Sequence, residues 1–225
     1  MSVLRPRFLS AIAALCAGAG MFAIMVPAGN AETVVLAPVA AVAEHGTGHR
    51  EIAIFAGGCF WGVQGVFSHV RGVTSATSGY TGGTSATADY ETVSTGSTGH
   101  AESVEVVYDP SKVDYADLLR IYFSVVADPT LVNRQGPDEG TQYRSALFPL
   151  NPAQDRVARA YIAQLSAAHV YARPIATRVE GNKRFFPAEG YHQDFYARNP
   201  TYPYIVINDR PKVEAFKRLF PASWK

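Results

Sequence analysis

From Glu51 onward, apolar and polar positions fall into two spacings, a period of two suited to strands and a period near 3.6 suited to helices. Glu51-Ile52-Ala53-Ile54-Phe55-Ala56 predicts a strand closed by Gly57-Gly58. A helix follows from Cys59 toward Val70, with Phe60, Val63, Val66 and Phe67 on one face. Residues 74–99 are crowded with Ser, Thr and Gly, and most of that stretch predicts a mobile surface loop. Glu102 to Asp109 alternates as a strand that Asp109-Pro110 ends. Tyr115 to Val126 predicts a helix stopped before Asp128-Pro129, and Gln142 to Phe148 a strand. Asn151-Pro152 then reads as a cap with proline at the first helical position, ahead of the stripe Val157, Tyr161, Ile162, Leu165. Later elements are a short strand over Ile175–Val179, a helix over Glu189–Arg198, a strand over Tyr204–Ile207 and a helix after Pro211. No repeat is visible, and strands mix with helices without a regular βαβ period. That predicts a single α+β domain over residues 51–225.

The chain ahead of it follows neither period. Residues 32–50, rich in Ala, Val, Pro, Gly and His, read as a linker. In residues 1–31, Arg5 and Arg7 precede an apolar run from Phe8 to Val26 and a small-residue end, Gly29-Asn30-Ala31. That is the layout of a secretory signal peptide, with cleavage expected after Ala31 and export to a bacterial periplasm. The alternative is an uncleaved anchor, since the run is just long enough to span a bilayer, although Gly18, Gly20 and Pro27 make it a poor permanent helix. Cys16 follows the bulky Leu15 and is a poor lipid-attachment site.

Composition narrows the classes. The 225 residues are 48% hydrophobic and 17% charged, a folded rather than disordered composition. Lys+Arg 20 against Asp+Glu 19 lacks the basic excess of a general nucleic-acid binder. Two cysteines cannot build a disulfide framework or a cysteine-based zinc site. Removing residues 1–31 takes away Cys16 and leaves Cys59 alone, and an unpaired cysteine in an exported protein calls for an explanation.

Cys59 follows two glycines where a strand meets a helix. Free N–H groups there favour a thiolate, and a pKa near about 7 is expected in place of about 8.5. The other reading is a buried structural cysteine. Glu102 begins the apolar row Glu102, Val104, Val106, Tyr108, while Ser103 and Glu105 share the opposite face. A carboxyl drawn into apolar surroundings can stay protonated and act as a general acid; at a frayed strand end it is simply solvated. His100 opens a third route, a cysteine hydrolase pairing it with Cys59, which leaves Phe60-Trp61 without a role. His45, His49, His69, His169 and His192 show no metal spacing and read as surface or linker residues. Gly79-Tyr80-Thr81-Gly82-Gly83 reads as a turn, with no lysine after it to make a phosphate loop.

At Gly57-Gly58-Cys59-Phe60-Trp61-Gly62 the chain resembles the A-type peptide methionine sulfoxide reductases. The match continues through Gly79–Gly83, Tyr90-Glu91-Thr92-Val93, Gly99-His100-Ala101-Glu102, Tyr108-Asp109-Pro110 and Asp138–Ser145, in order and with matching spacing, and covers 51 to about 210. The resemblance implies a two-layer α/β sandwich with a mixed sheet and a ferredoxin-like βαβ core. It implies that Cys59 attacks the sulfur of methionine sulfoxide and becomes a sulfenic acid, with Glu102 as proton donor. Tyr90 and Tyr143 match phenols that hydrogen-bond the sulfoxide oxygen, and Phe60 and Trp61 match the wall around the substrate methyl group. Asp138 matches a residue associated with substrate orientation. The family acts on the S epimer, in oxidised proteins or peptides, with no metal or bound cofactor, and a monomer is expected.

One departure matters. Many members carry a resolving cysteine after an Asn-Pro like Asn199-Pro200; here Thr201-Tyr202-Pro203-Tyr204 follows, and no cysteine lies beyond Cys59. A sulfenic acid on Cys59 would need an external thiol reductant, such as thioredoxin, glutaredoxin or a small thiol. Ala127, often histidine in relatives, has no evident chemical consequence. The competing classes are the hydrolase and a module that binds methionine sulfoxide without turnover.

Overall fold

The computed structural model describes residues 34–225 except 45, 47 and 182. The first strand, β1 (Glu51–Gly57), leads through helix α1 (Phe60–Ser68) to β2 (Val73–Thr81). A short helix α2 (Tyr90–Val93) precedes β3 (Ala101–Tyr108), and α3 (Tyr115–Ile121) runs on into a wider π-type turn over Tyr122–Val126. Next come the two-residue strands β4 (Arg134–Gln135) and β5 (Asp138–Glu139), then β6 (Ser145–Leu147) and the long helix α4 (Pro152–Ala167). The chain ends with β7 (Arg178–Val179), β8 (Phe185–Pro187), α5 (Phe195–Arg198) and α6 (Arg210–Leu219). The main sheet runs β7-β6-β1-β3-β2-β8. Only the β6–β7 pair is parallel, so the sheet is mixed. Within it β6-β1-β3-β2, with α1 and α3 in the crossovers, is the expected ferredoxin-like core.

β1 lies between β3 and β6 and is covered on both faces, which is why its sequence is a nearly unbroken apolar run. Phe55 faces the helices, its ring stacked on Phe67 at 4.8 Å and near Tyr122 at 5.6 Å and Tyr115 at 6.0 Å. That one ring ties α1, α3 and the π-type turn to the same sheet face. Ile54 and Ala56 pack the other way, with Ala101, Ala146 and Phe148. Burying each large side chain among these, Phe55, Ile54 and Phe148, contributes about 1.5–3 kcal/mol before entropy is counted. As expected, Asn151 caps α4, accepting the Gln154 N–H at 2.8 Å, with Pro152 in the first turn.

Three expected elements come out differently. Residues 74–81, read as the start of a mobile loop with Gly79–Thr81 in a turn, belong to β2, which pairs with β3 from Val73↔Tyr108 to Thr81↔Ala101. The strand hides from hydrophobic patterning because a buried serine within it is satisfied from outside: Ser78 Oγ donates to Gln64, and Gln193 bridges the Ser78 N–H and C=O. Tyr204–Ile207 is helical, opening the π-type turn Ile205–Asp209 rather than a strand. The helix expected over Glu189–Arg198 shrinks to α5, because Asp194 sits at φ 53, a left-handed conformation that cannot continue a helix backward. Two further readings shrink in the same way. Only Arg178–Val179 of Ile175–Val179, and Ser145–Leu147 of Gln142–Phe148, are strand.

Of the stretch read as a linker, residues 34–44 form a docked strap. Ser124 fastens its start, the carbonyl accepting the Val35 N–H at 3.1 Å and the hydroxyl accepting the Ala37 N–H at 3.0 Å. Arg120 donates to the Ala37 carbonyl, Tyr161 to that of Pro38, and Gln164 clasps Val39 and Ala41. Ala37 is fully buried. The segment read as a signal peptide lies outside the described residues, and among the described ones no helix is long and apolar enough to cross a membrane.

Candidate active site

Cys59 occupies the N-cap position of α1, half-buried and unpaired. The turn that places it requires Gly58: its φ is +87, and a Cβ there would stand 2.5 Å from the Gln135 Cβ. Gly58→Ala should therefore cost about 2–4 kcal/mol, lowering Tm by about 5–15 °C in a thermal melt. A variant melting within about 2 °C of the parent would show that the turn tolerates a side chain. Burial pushes the Cys59 thiol well up, with Glu102, Asp209 and Asp138 adding to it, while the backbone N–H of Trp61 pulls the other way. This reverses the expected lowering. One aligned N–H does not offset lost hydration and three nearby carboxyls.

Glu102 stands opposite Tyr80 in the β2–β3 pair and is 3% exposed. Its Oε2 accepts the Phe60 N–H at 3.0 Å, which ties it to the turn that carries Cys59. Burial pushes its carboxyl up to about 8, against the pull of that N–H and helped by Asp138 and Asp209. The residue thus holds a proton at neutral pH inside an apolar row.

Around this pair the structure gathers the other expected residues. Tyr90 starts α2 and is anchored by Glu189, which accepts its N–H at 2.9 Å. Tyr143 closes the short 3-10 turn Thr141–Tyr143. Burial raises both phenols, and both feel Glu102 and Cys59, so each remains a protonated donor. Asp138, in β5, accepts a hydrogen bond from Tyr204; burial raises its carboxyl while Tyr204 and Lys212 draw it back. Phe60 is buried 5.9 Å from the Tyr80 ring, and Trp61 lies flat on Phe195, centroids 3.8 Å apart at 12°. A thiol, a neutral acid, two phenols and an aromatic wall converge on one site. Among the described residues no cluster of three or more His, Cys, Asp or Glu is placed to hold a metal.

Residues 51–223 match the family model described as peptide methionine sulfoxide reductase. The chain belongs to that family. It is 64% identical over 174 residues to peptide methionine sulfoxide reductase MsrA 2 of Mesorhizobium japonicum, a match covering 77% of this chain and 89% of the relative. Identity to the MsrA of Deinococcus radiodurans is 48% over 171 residues, covering 76% and 82%. Among solved structures, reduced Mxr1 of Saccharomyces cerevisiae superposes with a TM-score of 0.62 at 28% identity, over 75% of this chain and 96% of that one. Methionine sulfoxide reductase A of Corynebacterium diphtheriae gives 0.57 at 30% identity, over 76% and 85%. The protein is therefore an oxidoreductase that reduces methionine sulfoxide and serves its repair.

In this reductase several site residues escaped the sequence reading. His192, read as a surface residue, is 2% exposed and lies 5.0 Å from the Phe60 ring and 4.5 Å from that of Tyr90. Its Nδ1 accepts the Trp61 indole N–H at 3.2 Å, and burial lowers its pKa against the pull of Glu189, so the ring is neutral. Tyr204 meets Trp61 edge-on at 5.9 Å while holding Asp138. Asp209 is buried where a Cβ on Gly62 would touch it. No spacing signals them, because each reaches the site by tertiary folding; His192 is 131 residues from Trp61. His100 is buried but structural. Its Nδ1 accepts the Gly83 N–H at 3.2 Å and its Nε2 donates to the Thr84 carbonyl at 3.0 Å. Both ring nitrogens are spent on the turn, which leaves the hydrolase reading without its base.

Proposed function

We propose that the reductase acts on the S epimer of methionine sulfoxide, in proteins and peptides, through a sulfenic acid on Cys59. The observation that carries this reading is a buried, protonated Glu102 bonded to the backbone beside that thiol. Cys59 Sγ attacks the sulfoxide sulfur while Glu102 gives its proton to the oxygen and takes the thiol proton in return. The Sγ–sulfur bond so formed and the substrate S–O bond both break as the hydroxyl passes to Sγ as S–OH, and methionine departs reduced by two electrons. Tyr90 and Tyr143 donate to the oxygen as charge develops there. Phe60 and Trp61 take the methyl group, which sorts the epimers, and Asp138 orients the substrate from the Tyr204 side.

No second cysteine follows Cys59, so the sulfenic acid condenses with an external thiol, releasing water. A further thiol then attacks the mixed disulfide and frees Cys59. Residues 1–31 would direct this chemistry to the periplasm as a cleaved signal, with the mature monomer starting at Glu32. The test is mass spectrometry on a peptide with resolved sulfoxide epimers. With excess dithiol the S epimer alone should lose its oxygen; without thiol, about one methionine should form per enzyme. Consumption of the R epimer, or repeated turnover without thiol, would defeat the reading.

A further inference from the structure

Outside the residues that receive the sulfoxide, the site rim carries aromatic surface that folding alone does not explain. Tyr202 is 48% exposed, yet its ring is not loose. It stands edge-on to Trp61 at 6.3 Å and 85°, and edge-on to Phe195 at 5.5 Å and 87°. Its backbone is pinned on both sides, its N–H donating to Asn199 and its carbonyl accepting from Val206. Trp61, Phe195 and Tyr202 thus form a continuous shelf that begins at the reaction pocket and ends in solvent. Edge-to-face packing of this kind holds an aromatic face ready for a ligand at little entropic cost.

We infer that this shelf binds an apolar or aromatic side chain next to the methionine sulfoxide in the substrate polypeptide. The inference rests on the reductase reading above and adds a substrate preference to it. A methionine side chain entering the pocket carries its neighbours along at about 3.4 Å per residue, so the residues one or two positions away must pass over the rim. There they meet an ordered aromatic face continuous with Trp61. Apolar neighbours surround methionines that are buried in a native fold and become exposed when it opens. The shelf therefore favours sulfoxides flanked in sequence by apolar residues over those flanked by small polar ones.

The experiment compares Tyr202→Ser and Tyr202→Phe with the parent, using dithiothreitol as reductant and three S-epimer substrates. These are N-acetyl-methionine sulfoxide, a peptide with Gly and Ser around the sulfoxide, and one with Phe and Leu there. The parent should prefer the Phe/Leu peptide over the Gly/Ser peptide by about threefold to tenfold in kcat/KM. Tyr202→Ser should erase that preference through KM while N-acetyl-methionine sulfoxide is turned over as before, and Tyr202→Phe should keep it. Equal losses on all three substrates, or no preference in the parent, would overturn the inference. So would a Tyr202→Ser defect that appears only when a protein thiol replaces dithiothreitol, which would assign the shelf to the reductant. Failure of the reductase reading itself looks different, with no substrate reduced by the parent.

Discussion

Glu102→Gln should lower kcat for sulfoxide reduction by about 10²- to 10⁴-fold at neutral pH, the contribution expected of one positioned general acid. Glutamine keeps the acceptor for the Phe60 N–H, so the turn at Cys59 survives and KM changes little. The parent should lose kcat/KM as pH rises through about 8, where the carboxyl gives up its proton. The variant's residual rate should lack that limb. Stability falls with rising pH as well, beginning at a lower pH. The native carboxyl binds its proton more tightly than the unfolded one, so between the ordinary value of 4.5 and about 8 the unfolded chain ionises while the native one does not. The parent should thus lose stability across that window, at no more than about 1.4 kcal/mol per pH unit, and the variant should not. Denaturant titrations at several pH values measure this. A variant as active as the parent, or a rate limb in the ordinary carboxylate range, would remove Glu102 from its role.

Cys59→Ser should be the most damaging substitution, with turnover reduced by at least about 10⁴-fold for every substrate. A serine oxygen is a poor nucleophile toward a sulfoxide sulfur and cannot carry the oxygen away as a sulfenic acid. The same protein should fold and still bind the sulfoxide, since Phe60, Trp61, Tyr90 and Tyr143 remain in place. Stopped-flow tryptophan fluorescence, with Trp61 in the wall, reads the binding directly. Burial that keeps the Cys59 thiol protonated adds a second expectation for the parent: slow alkylation by iodoacetamide at pH 7. Measurable turnover by the serine variant would mean that the oxygen is transferred elsewhere.

The sequence is legible where one face of an element is buried against another and the pattern says so. β1, β3 and α4 announce themselves through an apolar run, an alternation and an Asn-Pro cap with a helical stripe. β2 does not, because Ser78 is satisfied by Gln64 on the preceding helix and by Gln193, 115 residues further along the chain. Tyr204–Ile207 has a strand's composition but is wound into a helical turn that leaves Ile207 exposed. In the site, Cys59 could be suspected from its strand-to-helix junction and Glu102 from its apolar row. Tyr90, Tyr143 and Asp138 emerged only from the resemblance. His192 could not be found from local pattern at all, since it sits in the loop left where Asp194 interrupts the expected helix. The charge state of Cys59 was misjudged for a related reason: the helix terminus is visible in the sequence, whereas the surrounding carboxyls and the loss of water are not.

The strap at residues 34–44 sets a boundary that homology does not. The family match begins at residue 51, yet Tyr161 and Arg120 donate to carbonyls upstream of it. A chain trimmed to the matched region would leave those donors, and the Ser124 hydroxyl, facing a bare helical flank. Each lost bond costs about 0.5–1.5 kcal/mol. An amino-terminal tag or shortened expression boundary therefore belongs before residue 34 rather than at 51, and a chain begun at 51 should melt below one begun ahead of the strap.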